Sequence, residues 1–292
     1  MKLAIVGFGL MGSSLARAAQ RGYGMDTHII AIDPDVAVRK KALSLGLCVS
    51  AHESLDNIPQ DCDWIILAAP VSTNLSLLKS AIAQAGPNCK ITDLGSTKHT
   101  LTTTLKDAHS DFDRFIPAHP MAGREVSGVE HGLESLFDNK LVILTPPKTV
   151  AEPHIKAAES FYQKLGARTL RMNDSAEHDR LMGYASHLPH LLAFAFVNLA
   201  GRGNNGQTDY QDLTGAGYRD FTRIAASDPI MWQDIFLGNK DNIIAQLDGF
   251  SAIVDIYRKA ILSGDREAIT SLIGEARDER KRLQQIIKRH DI

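Results

Sequence analysis

The sequence predicts an α/β fold in two parts: a mostly parallel sheet with flanking helices over residues 1–172, then an all-helical region over residues 173–292. Three observations predict it. Short apolar runs of strand length alternate with helix-length segments as far as Met172, the pattern of βα units. A glycine-rich turn joins the first apolar run to the first helix-length segment. Beyond Met172 no strand signal recurs, and apolar residues repeat instead at three- and four-residue steps.

The expected strands, in order, are Leu3 to Val6, Ile29 to Ile32, Trp64 to Ala68, Lys90 to Thr92, Phe115 to Ile116, Leu141 to Leu144 and Thr169 to Leu170. Runs such as Trp64-Ile65-Ile66-Leu67-Ala68 are apolar throughout, which suits strands covered on both faces. After Met172, Asn173 or Asp174 offers a helix cap, with Glu177 placed three residues after Asp174 as in a capping box. Leu181 to Gly201 has no Lys, Arg, Asp or Glu and is long enough to suggest a bilayer span. It also holds His187, Pro189, His190 and Asn198, which lipid would disfavour, so a buried helix of a soluble domain is expected. Ser227-Asp228-Pro229 starts a further helix, whose apolar positions run from Ile230 to Ile261 and which Gly264 ends. Asp265 to Ile292 repeats the pattern with Ile269, Leu272, Ile273, Leu283, Ile286 and Ile287. So many apolar positions suit one face buried on the first domain and another on a second copy of the chain, so a homodimer is expected, against the alternative of a self-contained bundle.

Composition removes several function classes. The chain has 292 residues with 32 Lys+Arg against 34 Asp+Glu, a net charge of −2, so no broad positive field gathers nucleic acid or an acidic membrane. Its three cysteines, Cys48, Cys62 and Cys89, form no Cys-x-x-Cys pair and suggest buried thiols in the cytoplasm. An apolar N-terminus followed by Ala16-Arg17-Ala18 superficially resembles a secretory signal, but Gly7, Gly9 and Gly12 interrupt it.

Those glycines have their own explanation. Gly7-Phe8-Gly9-Leu10-Met11-Gly12 follows a strand and opens a helix, the context in which GxGxxG binds a dinucleotide. Gly7 permits the turn, Gly9 lets backbone approach a pyrophosphate, Gly12 lets helix and strand pack closely, and helix N–H groups, beginning near Leu10 and Met11, face the phosphates. Asp33 ends the second strand 21 residues past Gly12, where an acid that binds the ribose hydroxyls belongs. Its charge would repel a 2′-phosphate, so NAD is expected over NADP; Arg39, Lys40 and Lys41 are read as the solvated face of the next helix. The first domain is thus of Rossmann type.

Three polar islands fall where such a fold places its chemistry. Thr92-Asp93-Leu94-Gly95-Ser96-Thr97-Lys98 follows a strand and also reads as a helix start. Ala118-His119-Pro120-Met121-Ala122-Gly123 places His119 between a strand end and Pro-x-x-Gly, a reasonable proton acceptor facing a nicotinamide, although a lone His is more often structural. The helical half offers Ser186-His187-Leu188-Pro189-His190, with Ser186 and His190 on one face and Pro189 bending the helix, and Gly217 to Arg223. Arg223 either pairs with Asp220 or grips a carboxylate with its planar fork. No Cys or carboxylate cluster completes a zinc site, so no metal is expected.

With these blocks assembled, the chain resembles the prephenate and arogenate dehydrogenases of tyrosine biosynthesis. The resemblance covers nearly the whole chain and rests on GFGLMGSSLA, TDLGSTK, AHPMAG, SAEHD leading into SHLPH, and GYRDFTRIAASDPIMWQDI. It implies NAD-dependent oxidative decarboxylation of prephenate to 4-hydroxyphenylpyruvate, with arogenate as a possible second substrate. It implies that His119 is the base on the ring hydroxyl and that Ser96 helps hold that hydroxyl. Ser186, His187 and His190 match substrate-site positions, Arg223 the arginine on the substrate carboxylate, and Glu125 an acidic gating residue of some members. It also implies an all-helical C-terminal dimerisation domain. With no further regulatory module expected, tyrosine inhibition would act at the active site. Another two-domain dehydrogenase, such as a 3-hydroxyacid dehydrogenase, does not explain AHPMAG and SHLPH together, and a silent NAD sensor does not need His119 and Arg223. An unperturbed imidazole titrates near pH 6.5, so activity is expected to fall on the acid side of neutrality.

Overall fold

The computed structural model describes residues 1–108, 112–124, 126–203 and 213–290. By internal contacts the chain divides into Met1–Lys240 and Asp241–Ile292. In the first unit an eight-stranded sheet runs in the order β3-β2-β1-β4-β5-β6-β7-β8. Its strands are β1 (Lys2–Val6), β2 (His28–Ile32), β3 (Ser50–His52), β4 (Trp64–Leu67), β5 (Lys90–Asp93), β6 (Phe115–Pro120), β7 (Leu141–Leu144) and β8 (Arg168–Arg171). The helices around it are α1 (Leu10–Tyr23), α2 (Val36–Ser44), α3 (Val71–Gln84), α4 (His99–Ala108) and α5 (Glu152–Lys164).

Each expected strand forms, and the apolar runs feed two cores, one on either face of the sheet. Leu3 and Ile5 join Trp64, Ile66 and the helix residues Leu15 and Phe161 on one side. Ala4, Val6, Ile65 and Leu67 join Leu78 and Leu101 on the other. Alternating side chains of one strand thus enter opposite layers, which is why these strands are apolar throughout. The short strand β3 carried no apolar signal, because Ser50-Ala51-His52 is only half-buried at the sheet's edge.

Strand β6 corrects the sequence reading. Its first half pairs parallel with β5, Asp93 opposite Pro117; its second half pairs antiparallel with β7, His119 opposite Ile143. His119 therefore stands inside a strand instead of after one, held by the ladder to a strand that arrives from the opposite direction.

The helical remainder of the first unit comprises α6 (Ser175–Met182), a π-helical turn (Gly183–His187), α7 (Leu188–Gly203), α8 (Ala216–Thr222), a 3₁₀ turn (Arg223–Ala226) and α9 (Pro229–Gly238). Asp174 caps α6 by accepting from the Ala176 N–H at 2.9 Å, but Glu177 closes no capping box. It forms two bonds to Arg180 instead. The apolar stretch after Leu181 is not one buried helix: the wide π turn precedes Pro189, whose missing N–H and ring disfavour a regular turn, and Phe196 and Leu199 are exposed. Asp228 caps α9 through the N–H groups of Ile230 and Met231. The helix expected to run from Pro229 to Gly264 breaks at Asn239, and α10 (Lys240–Ser263) and α11 (Arg266–His290) follow. Gly264, at φ +68°, makes the turn between them. In the second unit Ile253, Val254, Ile256, Ile261, Leu262 and Ile273 are exposed. Among the described residues no helix is long and apolar enough to cross a membrane.

Candidate active site

The strand order reverses between β1 and β4, the place where a doubly wound sheet opens a crevice at its carboxyl edge. The glycine loop sits there. A Cβ on Gly7, at φ +87°, would stand 2.7 Å from the Ala69 nitrogen, and one on Gly12 would stand 2.1 Å from the Gly7 carbonyl oxygen. A Cβ on Gly9 would meet no atom of the chain within 4 Å, so that face is open to a ligand. Gly9 caps α1 without a side-chain bond, and the first turn, with Leu10 and Met11, holds no acidic residue, so its N–H groups and dipole are available to an anion. Asp33 closes the loop from β2: its Oδ2 accepts from the Phe8 N–H at 2.8 Å and its Oδ1 from the Asp35 N–H at 2.9 Å. Each oxygen retains acceptor capacity for a ribose hydroxyl. Arg39 turns back on this corner, donating to the carbonyls of Asp33 and Pro34 at 2.7 and 2.9 Å. These residues fit a dinucleotide: the open face at Gly9 and the first N–H groups of α1 would hold its pyrophosphate, and Asp33 would accept from its ribose.

Further along the same edge, the loop after β5 carries Ser96, half-buried, between the buried Gly95 and Thr97. Asp93 and Lys98 form a fully buried ion pair. Lys98 Nζ also donates to the Ala118 carbonyl at 2.8 Å, while Asp93 Oδ1 accepts from the Ala118 N–H at 3.3 Å. The pair thus holds both backbone groups of the residue before His119. Burial pushes the Asp93 carboxyl up and the Lys98 ammonium down, each opposed by its partner.

His119, 7% exposed, is the end of a hydrogen-bonded chain. Its Nδ1 lies 3.0 Å from His178 Nε2, and His178 Nδ1 lies 2.8 Å from Asp179 Oδ1. Asp179 in turn accepts from the backbone N–H groups of Lys98 at 2.8 Å and His99 at 3.0 Å, at the start of α4. A carboxylate only accepts, so with neutral rings His178 carries its proton on Nδ1 and receives the His119 Nδ1 proton on Nε2. The lone pair of His119 is then on Nε2. Burial, followed by the nearby His178, Lys98 and His187, holds the His119 imidazole well below its ordinary value. That moves the expected loss of activity in acid further down than an unperturbed imidazole would.

The helical segment adds His187, buried beside the chain, and His190, whose Nδ1 donates to the Ser186 carbonyl at 2.8 Å. The His190 ring stacks on Trp232 with centroids 3.9 Å apart, and Phe194 and Phe236 complete the aromatic cluster. Arg223 lies at the exposed junction between α8 and the 3₁₀ turn. Glu125 lies outside the described residues. Among the described residues no group of three or more His, Cys, Asp or Glu is placed to hold a metal ion.

Sequence reasoning assigned no role to His178, Asp179 or Asn239. The adjacent His178-Asp179 pair was legible as a polar doublet at a helix start, but nothing local links it to His119, 59 residues away. Asn239 carried no signal at all, since it looks like one more polar position within a continuous helix.

Comparison with known proteins agrees with this architecture. Residues 15–171 match the family model for the nucleotide-binding domain of prephenate dehydrogenase, and residues 174–275 match that for its dimerization domain. The chain is 31% identical over 284 residues to the cyclohexadienyl dehydrogenase of Zymomonas mobilis, covering 97% of this chain and 96% of that protein. It is 31% identical over 281 residues to the prephenate dehydrogenase of Bacillus subtilis, covering 96% and 75%. The crystal structure of prephenate dehydrogenase from Aquifex aeolicus, in complex with hydroxyphenyl propionate and NAD+, superposes with a TM-score of 0.88 at 33% identity, covering 97% of this chain and 98% of that one. With both domain models matched in order along the sequence, the chain belongs to the prephenate dehydrogenase family.

Proposed function

We infer that the protein catalyses the NAD-dependent oxidative decarboxylation of prephenate to 4-hydroxyphenylpyruvate, a step of tyrosine biosynthesis. The observation that carries this reading is the chain Asp179–His178–His119, which leaves a neutral imidazole acceptor at the carboxyl edge of a dinucleotide-binding sheet. NAD, when bound, supplies the acceptor for the hydride that leaves C4 of the cyclohexadiene ring. His119 Nε2 takes the proton of the C4 hydroxyl as its C–H bond breaks, and Ser96 holds that hydroxyl. The C1–carboxylate bond then breaks, carbon dioxide leaves, and the electron pair passes through the ring to the C4 oxygen, which takes back the proton held on His119; the aromatic product makes the step effectively irreversible. What remains for the protein is alignment and a base of the right tautomer.

Ser186, His187 and His190 line the substrate side of the same edge, and Arg223 holds a carboxylate through its planar fork. The domain boundary we adopt is 172/173, between the two matched models. The exposed Ile and Leu positions of α10 and α11 support a homodimer, and the three buried free thiols suit the reducing cytoplasm. Light scattering at working concentration reads the first of these; a monomer would refute the dimer.

The test of function is NADH formation by the purified protein with prephenate and, in parallel, arogenate, each repeated with NADP. Turnover of prephenate with NAD is expected. Silence on both substrates, with NAD binding intact, would overturn the assignment. Arg223→Gln is expected to raise KM for prephenate with little change in kcat; an unchanged KM would assign Arg223 to structure.

A further inference from the structure

We propose that Asn239 is a positioning residue that holds His187 as a hydrogen-bond donor toward the substrate, so that the site presents two imidazoles in opposite tautomers, His119 accepting and His187 donating. The proposal rests on the substrate reading above only for what occupies the far end of the His187 bond.

Helix α9 stops at Gly238. Asn239, at φ −127° and ψ 26°, ends that helix and is 4% exposed. Its Nδ2 donates to the backbone carbonyl of Asp179 at 2.7 Å. A carbonyl has no proton to give, so the amide nitrogen, and not its oxygen, must face Asp179. The same Nδ2 lies 2.9 Å from His187 Nδ1. Since Nδ2 is a donor, His187 Nδ1 is the acceptor, and the ring proton of the neutral imidazole sits on Nε2. Burial pushes His187 down to about 4, so the neutral ring is the form present near pH 7.

That Nε2–H is buried with no hydrogen-bond partner, in a residue that is 1% exposed. Buried donors are seldom left unpaired, and one that is so left is a candidate ligand contact. Two further polar atoms nearby share this state, Thr97 Oγ1 and Trp232 Nε1. Thr97 follows Ser96 and lies against Gly238, where an added Cβ would stand 3.0 Å from its hydroxyl; Trp232 is on α9 with its ring edge-on to His187. His187 is near enough to His119 for a charge on one to oppose a charge on the other. These facts place an oxygen acceptor of the substrate on His187 Nε2. Asp179 joins the two settings: its carboxylate orients the chain that ends on His119, and its carbonyl orients Asn239. With its proton already on Nε2, His187 does not compete with His119 for the proton released by the substrate.

Long-range 1H–15N spectra of 15N-histidine protein without ligand, with His187 assigned from His187→Gln, read the tautomer directly. The expected result is His187 protonated on Nε2 and bare on Nδ1; a proton on Nδ1 would overturn the proposal whatever the enzyme does. In Asn239→Asp the side chain only accepts, so the ring proton is expected to move to Nδ1. With it, kcat/KM for prephenate is expected to fall ~10-fold, the size of one neutral hydrogen bond, while NAD affinity holds. An unmoved tautomer in a folded Asn239→Asp protein would remove Asn239 from the role, and a moved tautomer with unchanged kcat/KM would remove the substrate contact. Absence of prephenate turnover by the unmodified protein would sink the functional reading instead, leaving the spectrum to judge the tautomer alone.

Discussion

The glycine loop and the histidine chain lie on one sheet edge, yet they are built in opposite ways. The loop draws Gly7, Gly9, Gly12 and Asp33 from two consecutive βα units, and backbone geometry decides its function: one positive φ, one open face, one close helix–strand approach. The chain draws Lys98, His119, His178, Asp179, His187 and Asn239 from loops, strands and helices across 142 residues, and hydrogen bonds between distant groups decide its geometry. The difference teaches that a turn fixed by backbone geometry is readable from spacing, whereas a chain of side-chain hydrogen bonds is readable only once it is assembled.

If the two regions act independently, damage to either leaves the other intact, and the largest expected effect lies in the chain. His119→Asn is expected to lower kcat about 10²–10⁴-fold, the usual worth of a general base, with NAD affinity unchanged in a fluorescence titration. A near-normal kcat would take His119 out of the mechanism. His178→Phe leaves the base but frees its Nδ1, and a loss of about 10²-fold or less in kcat is expected, again without change in NAD affinity; weakened NAD binding would show the two regions to be coupled. In the loop, Gly12→Ala drives a methyl into the Gly7 carbonyl, with an expected cost of about 1–3 kcal/mol in denaturant unfolding and weaker NAD binding. Full stability in that variant would mean that the helix can shift away from the strand. Asp33→Ser is expected to cut the preference for NAD over NADP by about tenfold, because it removes a charged acceptor of ribose hydroxyls; unchanged discrimination would move specificity elsewhere.

The smallest effect is a displacement along the pH axis. His119 is held well below 6.5, and a base works while it is unprotonated, so kcat is expected to persist below pH 6.5 and fall only at more acid pH. A midpoint at or above 6.5 would show that substrate binding removes the effect of burial. Stability follows the same sign. His187 binds a proton near pH 6.5 when unfolded but only near 4 when folded, so its contribution is present above 6.5 and is lost as pH falls from 6.5 toward 4.

Much of this was legible in the residues, for reasons that can be located. The strands were readable because two-sided burial demands continuous apolar runs, as Trp64 to Leu67 shows with every residue buried. Asp228-Pro229 was readable because a cap and a first-turn proline are local devices. Strand β3 was not, since a half-buried edge strand needs no apolar pattern, and neither was the second half of β6, whose pairing depends on β7 arriving antiparallel.

What the sequence by itself determined is the order of most elements and the dinucleotide loop, because turn geometry, helix capping and strand burial act over a few residues at a time. Only the tertiary structure decided that His119, His178 and Asp179 stand in one hydrogen-bonded chain, that the buried Asp93–Lys98 pair grips the backbone before His119, and that a continuous helical pattern breaks at Asn239. Periodicity favours an unbroken helix there. The bonds from Asn239 to Asp179 and His187 form only when residues 52 to 60 positions apart are brought together, so their energy is absent from any local window of the chain.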